Sequence, residues 1–190
     1  MMKQTPTWLI LLVTGMVAAC GGTPTPNEAT STKNTPTEVA PRAVAVKQAH
    51  GIPMGSFDEL EYLFHLDTDT TYIINFWATW CKPCVAELPY FEQLTAAYAD
   101  QPVKVRLISL DFPKQIESRL LPFIEKNQLQ SEVWVLDDPD ATSWIDKVSP
   151  PWSGAIPATV VYRRDQRGFW EQSFESYEEL NTIVKPFIKN

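Results

Sequence analysis

Apolar residues recur along most of the chain at two spacings, helical and strand-like. Ser56-Phe57-Asp58-Glu59 is a capping box, and Phe57, Leu60, Leu63 and Phe64 follow it at helical intervals. Tyr72 to Trp77 is a nearly unbroken apolar run, as expected of a central strand covered on both faces. Leu88, Phe91, Leu94 and Tyr98 mark one face of a helix that begins near Cys81. Val103 to Leu110 reads as a second buried strand. Ile116 to Asn127 reads as a helix that Pro122 either kinks or starts. Glu132 to Leu136 predicts a short strand and Asp140 to Val148 a short helix. Ala158–Tyr162 and Phe169–Phe174 predict a hairpin around the polar turn Arg164 to Gly168. Ser176-Tyr177-Glu178-Glu179 caps a last helix that reaches Ile188. Strands separated by helices require parallel pairing, and the terminal hairpin adds an antiparallel edge. The pattern predicts an α/β sandwich, a central mixed sheet flanked by helices, in a single domain over 51–190.

The first fifty residues follow neither spacing. Lys3 is the only charge before the apolar run Trp8 to Ala19, and Val17-Ala18-Ala19-Cys20 ends that run. This is the layout of a secretory signal, and the run is too short to span a bilayer as a helix. Small residues before a cysteine resemble the bacterial lipobox, in which cleavage precedes the cysteine and that cysteine is acylated. The alternative is an ordinary signal with a chance cysteine. On the lipobox reading, 1–19 is the signal peptide, Cys20 is the lipidation site and 20–50 is a tether. The Thr- and Pro-rich stretch from Gly21 to Ala40 lacks aromatics and cannot offset its ordering entropy by burial. Gly21 stands where lipoproteins retained at the inner membrane resemble one another in having Asp. The expected location is therefore the cell envelope, outer membrane over inner, facing the periplasm or outside.

Charge and cysteine usage narrow the chemistry. The formal charge is −7 over 190 residues. Lys3, Lys33, Arg42 and Lys47 outnumber Glu28 and Glu38 in residues 1–50, so the folded part holds all the excess acid. Such a surface is unsuited to nucleic acid, which requires clustered Lys and Arg. Three cysteines and two histidines leave little for a metal centre or a disulfide-stapled scaffold. No metal and no cofactor is expected.

The reactive candidate is Trp80-Cys81-Lys82-Pro83-Cys84, set between a strand and a helix. Used for zinc, Cys-x-x-Cys needs two further ligands, and neither His50 nor His65 has ligand-like spacing. Used for redox, the spacing puts both sulfurs on the first turn of a helix, within disulfide reach. There the unpaired N–H groups and the helix dipole favour a thiolate at Cys81. Pro83 has no N–H to leave unpaired in that turn. A purely structural disulfide, or two buried thiols, is the bland alternative.

Asn75-Phe76-Trp77-Ala78-Thr79-Trp80-Cys81-Lys82-Pro83-Cys84 resembles the active-site segment of the thioredoxin superfamily. It is most similar to membrane-anchored TlpA/ResA-type thiol–disulfide oxidoreductases. Pro89 matches the helix proline of thioredoxins. Gly154 to Thr159 resembles the loop carrying the family's cis-proline. The resemblance covers roughly 55–188 and implies a thioredoxin-like sandwich. It further implies a redox disulfide Cys81–Cys84, with Cys81 attacking and Cys84 resolving, opposite a cis Ile156–Pro157 bond.

The same resemblance assigns the neighbouring residues. Ile156 and Pro157 would pair with an extended substrate, and Trp80 would face it. Trp77 is expected in the core, and Trp152 either in the core or along the cis-proline loop. Glu87 is either a first-turn carboxylate complementing the dipole or a proton partner of Cys84. Asn75 stands where cytoplasmic thioredoxins keep a buried Asp, which favours Glu87 as the substitute. The implied partners are exported Cys-containing proteins, apocytochrome c for example, with a transmembrane thiol reductase as electron donor. Alternatives are a dithiol oxidase or isomerase, a peroxidase and a non-catalytic binding module. A peroxidase is disfavoured because peroxiredoxins place Thr three residues before the cysteine and Thr79 lies two before. A related copper-delivery module would want a wider cysteine spacing and a distal histidine.

Overall fold

The computed structural model describes residues 47–189. The leader, the acylation at Cys20 and most of the tether expected from the sequence fall on residues 1–46, outside the described residues. Among the described residues seven strands form one mixed sheet in the order β1-β2-β5-β4-β3-β6-β7. They are β1 Lys47–Ala49, β2 Ile52–Gly55, β3 Thr71–Trp77, β4 Val103–Ser109, β5 Glu132–Leu136, β6 Ala158–Arg163 and β7 Gln166–Trp170. Strands β2, β5, β4 and β3 are parallel to one another, while β1 joins β2, β6 joins β3 and β7 joins β6 antiparallel. Five α-helices among the described residues cover the sheet: α1 Phe57–Leu60, α2 Lys82–Ala97, α3 Leu121–Asn127, α4 Ala141–Val148 and α5 Tyr177–Val184. This is the expected α/β sandwich.

Every residue of β3 is buried, and its side chains alternate between two cores. Ile73 and Trp77 pack with Leu88, Phe91 and Leu94 of α2 and with Leu180 and Val184 of α5. Ile74 and Phe76 pack with Phe57 and Leu60 of α1 and Trp144 and Val148 of α4. Asn75 falls on the α2 side by the same alternation. With Thr71 at the strand start it is one of two polar residues in that row, and its mid-strand placement sets up the site described below.

Three departures from the sequence reading have local causes. The sheet begins at Lys47, inside the stretch read as tether. His50 and Gly51 both have positive φ (52° and 85°), forming the two-residue turn that folds β1 onto β2. The second hairpin turns at Arg164-Asp165 alone, so β7 starts at Gln166 and ends at Trp170, earlier than Phe169–Phe174. Gly168 permits this: a Cβ there would lie 2.3 Å from the Trp170 ring. The Ile116–Asn127 segment is a π-helical turn, Ile116–Leu120, followed by α3 with Pro122 in its first turn. Pro122 therefore starts the α-helix.

Candidate active site

Parallel β3, β4 and β5 all end at one edge of the sheet, and antiparallel β6 begins there. The segments Ala78–Cys81, Leu110–Pro113, Asp137–Pro139 and Ala155–Pro157 therefore gather at that edge.

Cys81 is the N-cap of α2, in extended conformation (φ −87°, ψ 101°), with Pro83 in the first turn. Its Sγ accepts a hydrogen bond from Cys84 N at 3.3 Å. That contact satisfies one of the free amides of the helix start and favours negative charge on the sulfur. Cys81 and Cys84 are joined as a disulfide with Cα atoms 5.3 Å apart. Cys81 retains 6% exposure and Cys84 none, so the pair is asymmetric in the expected sense, though Cys81 is more covered than expected. The Ile156–Pro157 peptide is cis. The Ile156 carbonyl oxygen lies 3.7 Å from Cys81 Sγ. A disulfide sulfur has no proton to give, so this is a contact; the reduced thiol would have one.

The loop before the cis bond is held by Trp152, whose indole Nε1 donates to Ala155 O at 2.8 Å. The same ring packs on Phe76, with centroids 4.7 Å apart. Trp152 thus serves the core and the loop together. Gly154 supplies the left-handed backbone (φ 91°) that brings the chain round. Trp77 is wholly in the core, and Trp80 is 47% exposed beside Cys81. Lys82 is exposed.

Glu87 is not a first-turn carboxylate. Helix α2 starts at Lys82, which places Glu87 a turn deeper, and the side chain is completely buried. Its Oε1 accepts from Asn75 Nδ2 at 2.9 Å, and its Oε2 from Phe174 N at 2.8 Å. Asn75 Nδ2 also donates to Thr159 Oγ1 at 3.1 Å, while its Oδ1 has no partner. Burial pushes the Glu87 carboxyl up to about 7, although its hydrogen bonds to Phe174 and Asn75 pull it down. Glu87 shares a helical face with Cys84, but both its oxygens are engaged by β3 and by the segment after β7.

Sequence reading missed Asp111. This carboxylate, 1% exposed, accepts from Thr79 N at 2.9 Å, Thr79 Oγ1 at 2.6 Å and Ser109 Oγ at 2.9 Å. It ties the end of β4 to the turn entering α2, where Cys81 N donates to Ala78 O at 3.1 Å. The signal available was an Asp directly after a buried strand, which does not by itself name a partner 32 residues away. Among the described residues no group of three or more His, Cys, Asp or Glu is placed to hold a metal.

Comparison with known proteins agrees with this geometry. The chain is 42% identical over 113 residues to the thiol-disulfide oxidoreductase ResA of Bacillus thuringiensis subsp. konkukian, covering 60% of this chain and 62% of that one. It is 51% identical to ResA of Oceanobacillus iheyensis over 39 residues, 20% of each chain. The matched span is thus under two thirds of the length of these relatives. A thioredoxin-family thiol:disulfide interchange protein of Chlorobium tepidum superposes with a TM-score of 0.53. That likeness covers 64% of this chain and 81% of the other, and at 22% identity it speaks for the thioredoxin-like fold. Residues 61–167, more than half of the chain and the whole span from the end of α1 to the second hairpin, match the AhpC/TSA family, and the chain belongs to that redoxin family of the thioredoxin superfamily.

Proposed function

We propose that the protein is a thiol–disulfide oxidoreductase that reduces disulfides of exported proteins from a lipid anchor at Cys20. One observation carries the redox reading: a Cys81–Cys84 disulfide at the N-terminus of α2, in contact with the carbonyl of a cis-proline loop. In the reduced protein the Cys81 thiolate attacks one sulfur of a partner disulfide and expels the other as a thiolate. Cys84, deprotonated, then attacks Cys81 Sγ, releases the second partner thiol and closes the internal disulfide. Two electrons pass to the partner, and a thiol reductase in the membrane returns them. Trp80 adjoins the attacking Cys81 in sequence, and the Ile156 carbonyl before cis-Pro157 touches its sulfur; the Ile156 backbone is the natural pairing edge for an extended substrate.

Glu87 serves Cys84 in this scheme. A buried carboxyl raised to about 7 exchanges a proton close to neutral pH, and it lies one helical turn from Cys84 on the same face. The Thr79 hydroxyl donates to Asp111 rather than to a cysteine sulfur, which weighs against peroxidase chemistry.

Equilibrating the protein against glutathione buffers tests the direction of electron flow. A strongly reducing potential supports the reductase, and an oxidising one supports a dithiol oxidase or isomerase. Cys20→Ala tests the anchor. It should leave the membrane fraction or remain unprocessed, whereas a wild-type protein that fractionates as soluble with unmodified Cys20 removes it.

A further inference from the structure

A groove of about 290 Å³ opens beside Trp80, lined by Leu110, Phe112, Pro113, Leu136, Asp137 and Trp144 among others. Its walls are the loops that leave β3, β4 and β5, so it lies along the same sheet edge as the disulfide. Trp80 at 47% and Phe112 at 64% are the exposed large hydrophobic residues among those described, and both line this groove. Isolated exposed apolar residues need no explanation, but two aromatics on one groove next to a reactive sulfur form a contact surface. They are also held in place. Asp111 bonds the Thr79 backbone and hydroxyl, and so couples the loop carrying Phe112 to the loop carrying Trp80. The floor is fixed by Trp144, which is buried between Phe57 and Phe76.

The charge of the groove is one-sided. Asp111, Asp137 and Asp138 line it, and no Lys, Arg or His does. The Asp138 oxygens accept from Phe57 N and Asp140 N, and Asp111 is enclosed. Asp137 is exposed, and no side-chain partner is found for it among the described residues. Lys82 and Lys114 follow Trp80 and Phe112 closely in sequence but do not line the groove. Its far rim, formed by the loop after β5, is therefore anionic.

We infer that this groove is the specificity subsite of the enzyme, receiving a segment of the substrate protein that carries an apolar side chain and, beyond it, a Lys or Arg within a few residues of the attacked cysteine. The inference rests on the redox reading above and names its substrate class. The apolar side chain lies between Trp80 and Phe112, and the cation meets Asp137 and Asp138 at the rim. A partially enclosed aromatic contact of this kind is where binding energy concentrates in protein interfaces, and complementary charge selects among partners.

The test uses reduced full-length protein, freed of reductant, in single-turnover reactions followed by tryptophan fluorescence. Its substrates are hydroxyethyl disulfide and mixed-disulfide peptides with Leu and Lys placed two and four residues before or after the cysteine. Control peptides carry Leu and Glu, or Ser and Ser. For the wild type, the rate constant should be about tenfold higher for a Leu–Lys peptide than for Ser–Ser. In Phe112→Ala, the ratio of the Leu–Lys rate to the hydroxyethyl disulfide rate should fall about tenfold, equivalent to about 1.4 kcal/mol. In Asp137→Asn, the preference for Leu–Lys over Leu–Glu should fall about threefold. Equal rates for all peptides, or an unchanged ratio in Phe112→Ala, would overturn the subsite while hydroxyethyl disulfide turnover upholds the redox reading. Failure of the wild type with every disulfide would overturn both.

Discussion

Glu87 gives a quantitative prediction because burial and titration are linked. In the unfolded chain its carboxyl ionises at the ordinary value of 4.5, and in the folded protein at about 7. Between those values the folded state binds more protons than the unfolded one, so stability falls as pH rises. The contribution is fully present below pH 4.5 and is lost as pH passes through 7. At about 1.4 kcal/mol per unit, the ionised buried carboxylate costs about 3 kcal/mol above pH 7. That is a large share of the 5–15 kcal/mol typical of a domain. Glu87→Gln removes the titration. The amide also fits the site. Its oxygen accepts from Phe174 N, and its NH2 donates to Asn75 once that side-chain amide is turned to present the oxygen now lacking a partner. Thr159 Oγ1 can then donate to the same oxygen. Urea unfolding of the oxidised proteins between pH 5 and 8 should show Glu87→Gln gaining about 2–3 kcal/mol on the wild type across that range. Subtracting the two profiles removes every other titrating group. A difference flat to within about 0.5 kcal/mol would refute the reasoning, because Glu87 would then titrate alike in both states. In the reduced proteins the same substitution should lower the Cys84 pKa and slow resolution of mixed disulfides; unchanged thiol titration curves would remove Glu87 from that role.

Thr79→Val should destabilise the protein by about 1.5–3 kcal/mol, the worth of a hydrogen bond to a charged group, and Thr79→Ser should restore most of it. Urea midpoints check this, and a Val variant equal to wild type would deny that Asp111 anchors the loop. Trp152→Phe removes the bond to Ala155 O and should cost about 0.5–1.5 kcal/mol, measured by thermal unfolding. It should also slow reaction with peptide disulfides more than with hydroxyethyl disulfide, since it loosens the loop that carries Ile156. Equal slowing of both substrates would confine Trp152 to the core.

Much of this site could be read from the chain because its strongest signals are local. Cys81, Pro83 and Cys84 lie within four residues, and the strand before them and the helix after them announce themselves by spacing. The bounds of β5 agree with the pattern Glu132 to Leu136. The features that escaped depend on pairing at a distance or on burial of polar groups. Asp111 finds Thr79 across 32 residues, and Glu87 finds Phe174 across 87. A charged residue is exposed by default, so spacing and composition offer no ground for burying either carboxylate, and for Glu87 the pointer is the resemblance that puts Asn75 in the place of a buried Asp. Strand β1 is three residues long and β2 contains Pro53, so neither shows a period. The His50-Gly51 turn that joins them lacks the usual Asn or Asp before its glycine. The grouping of Trp80, Phe112 and Asp137 in one groove follows from strand order, which spacing alone does not give.

The central claim is that Cys81 attacks and Cys84 resolves. Cys84→Ser leaves the outer sulfur without its internal partner, so mixed disulfides on Cys81 should accumulate and should dissolve with dithiothreitol on non-reducing gels. Cys81→Ser should capture nothing, because Cys84 is fully enclosed. The decisive measurement is this pair of folded variants, expressed in exported form and compared side by side. Adducts on Cys84→Ser alone are the predicted result. Adducts on Cys81→Ser would reverse the assignment, and their absence from both would leave a structural disulfide and contradict the account.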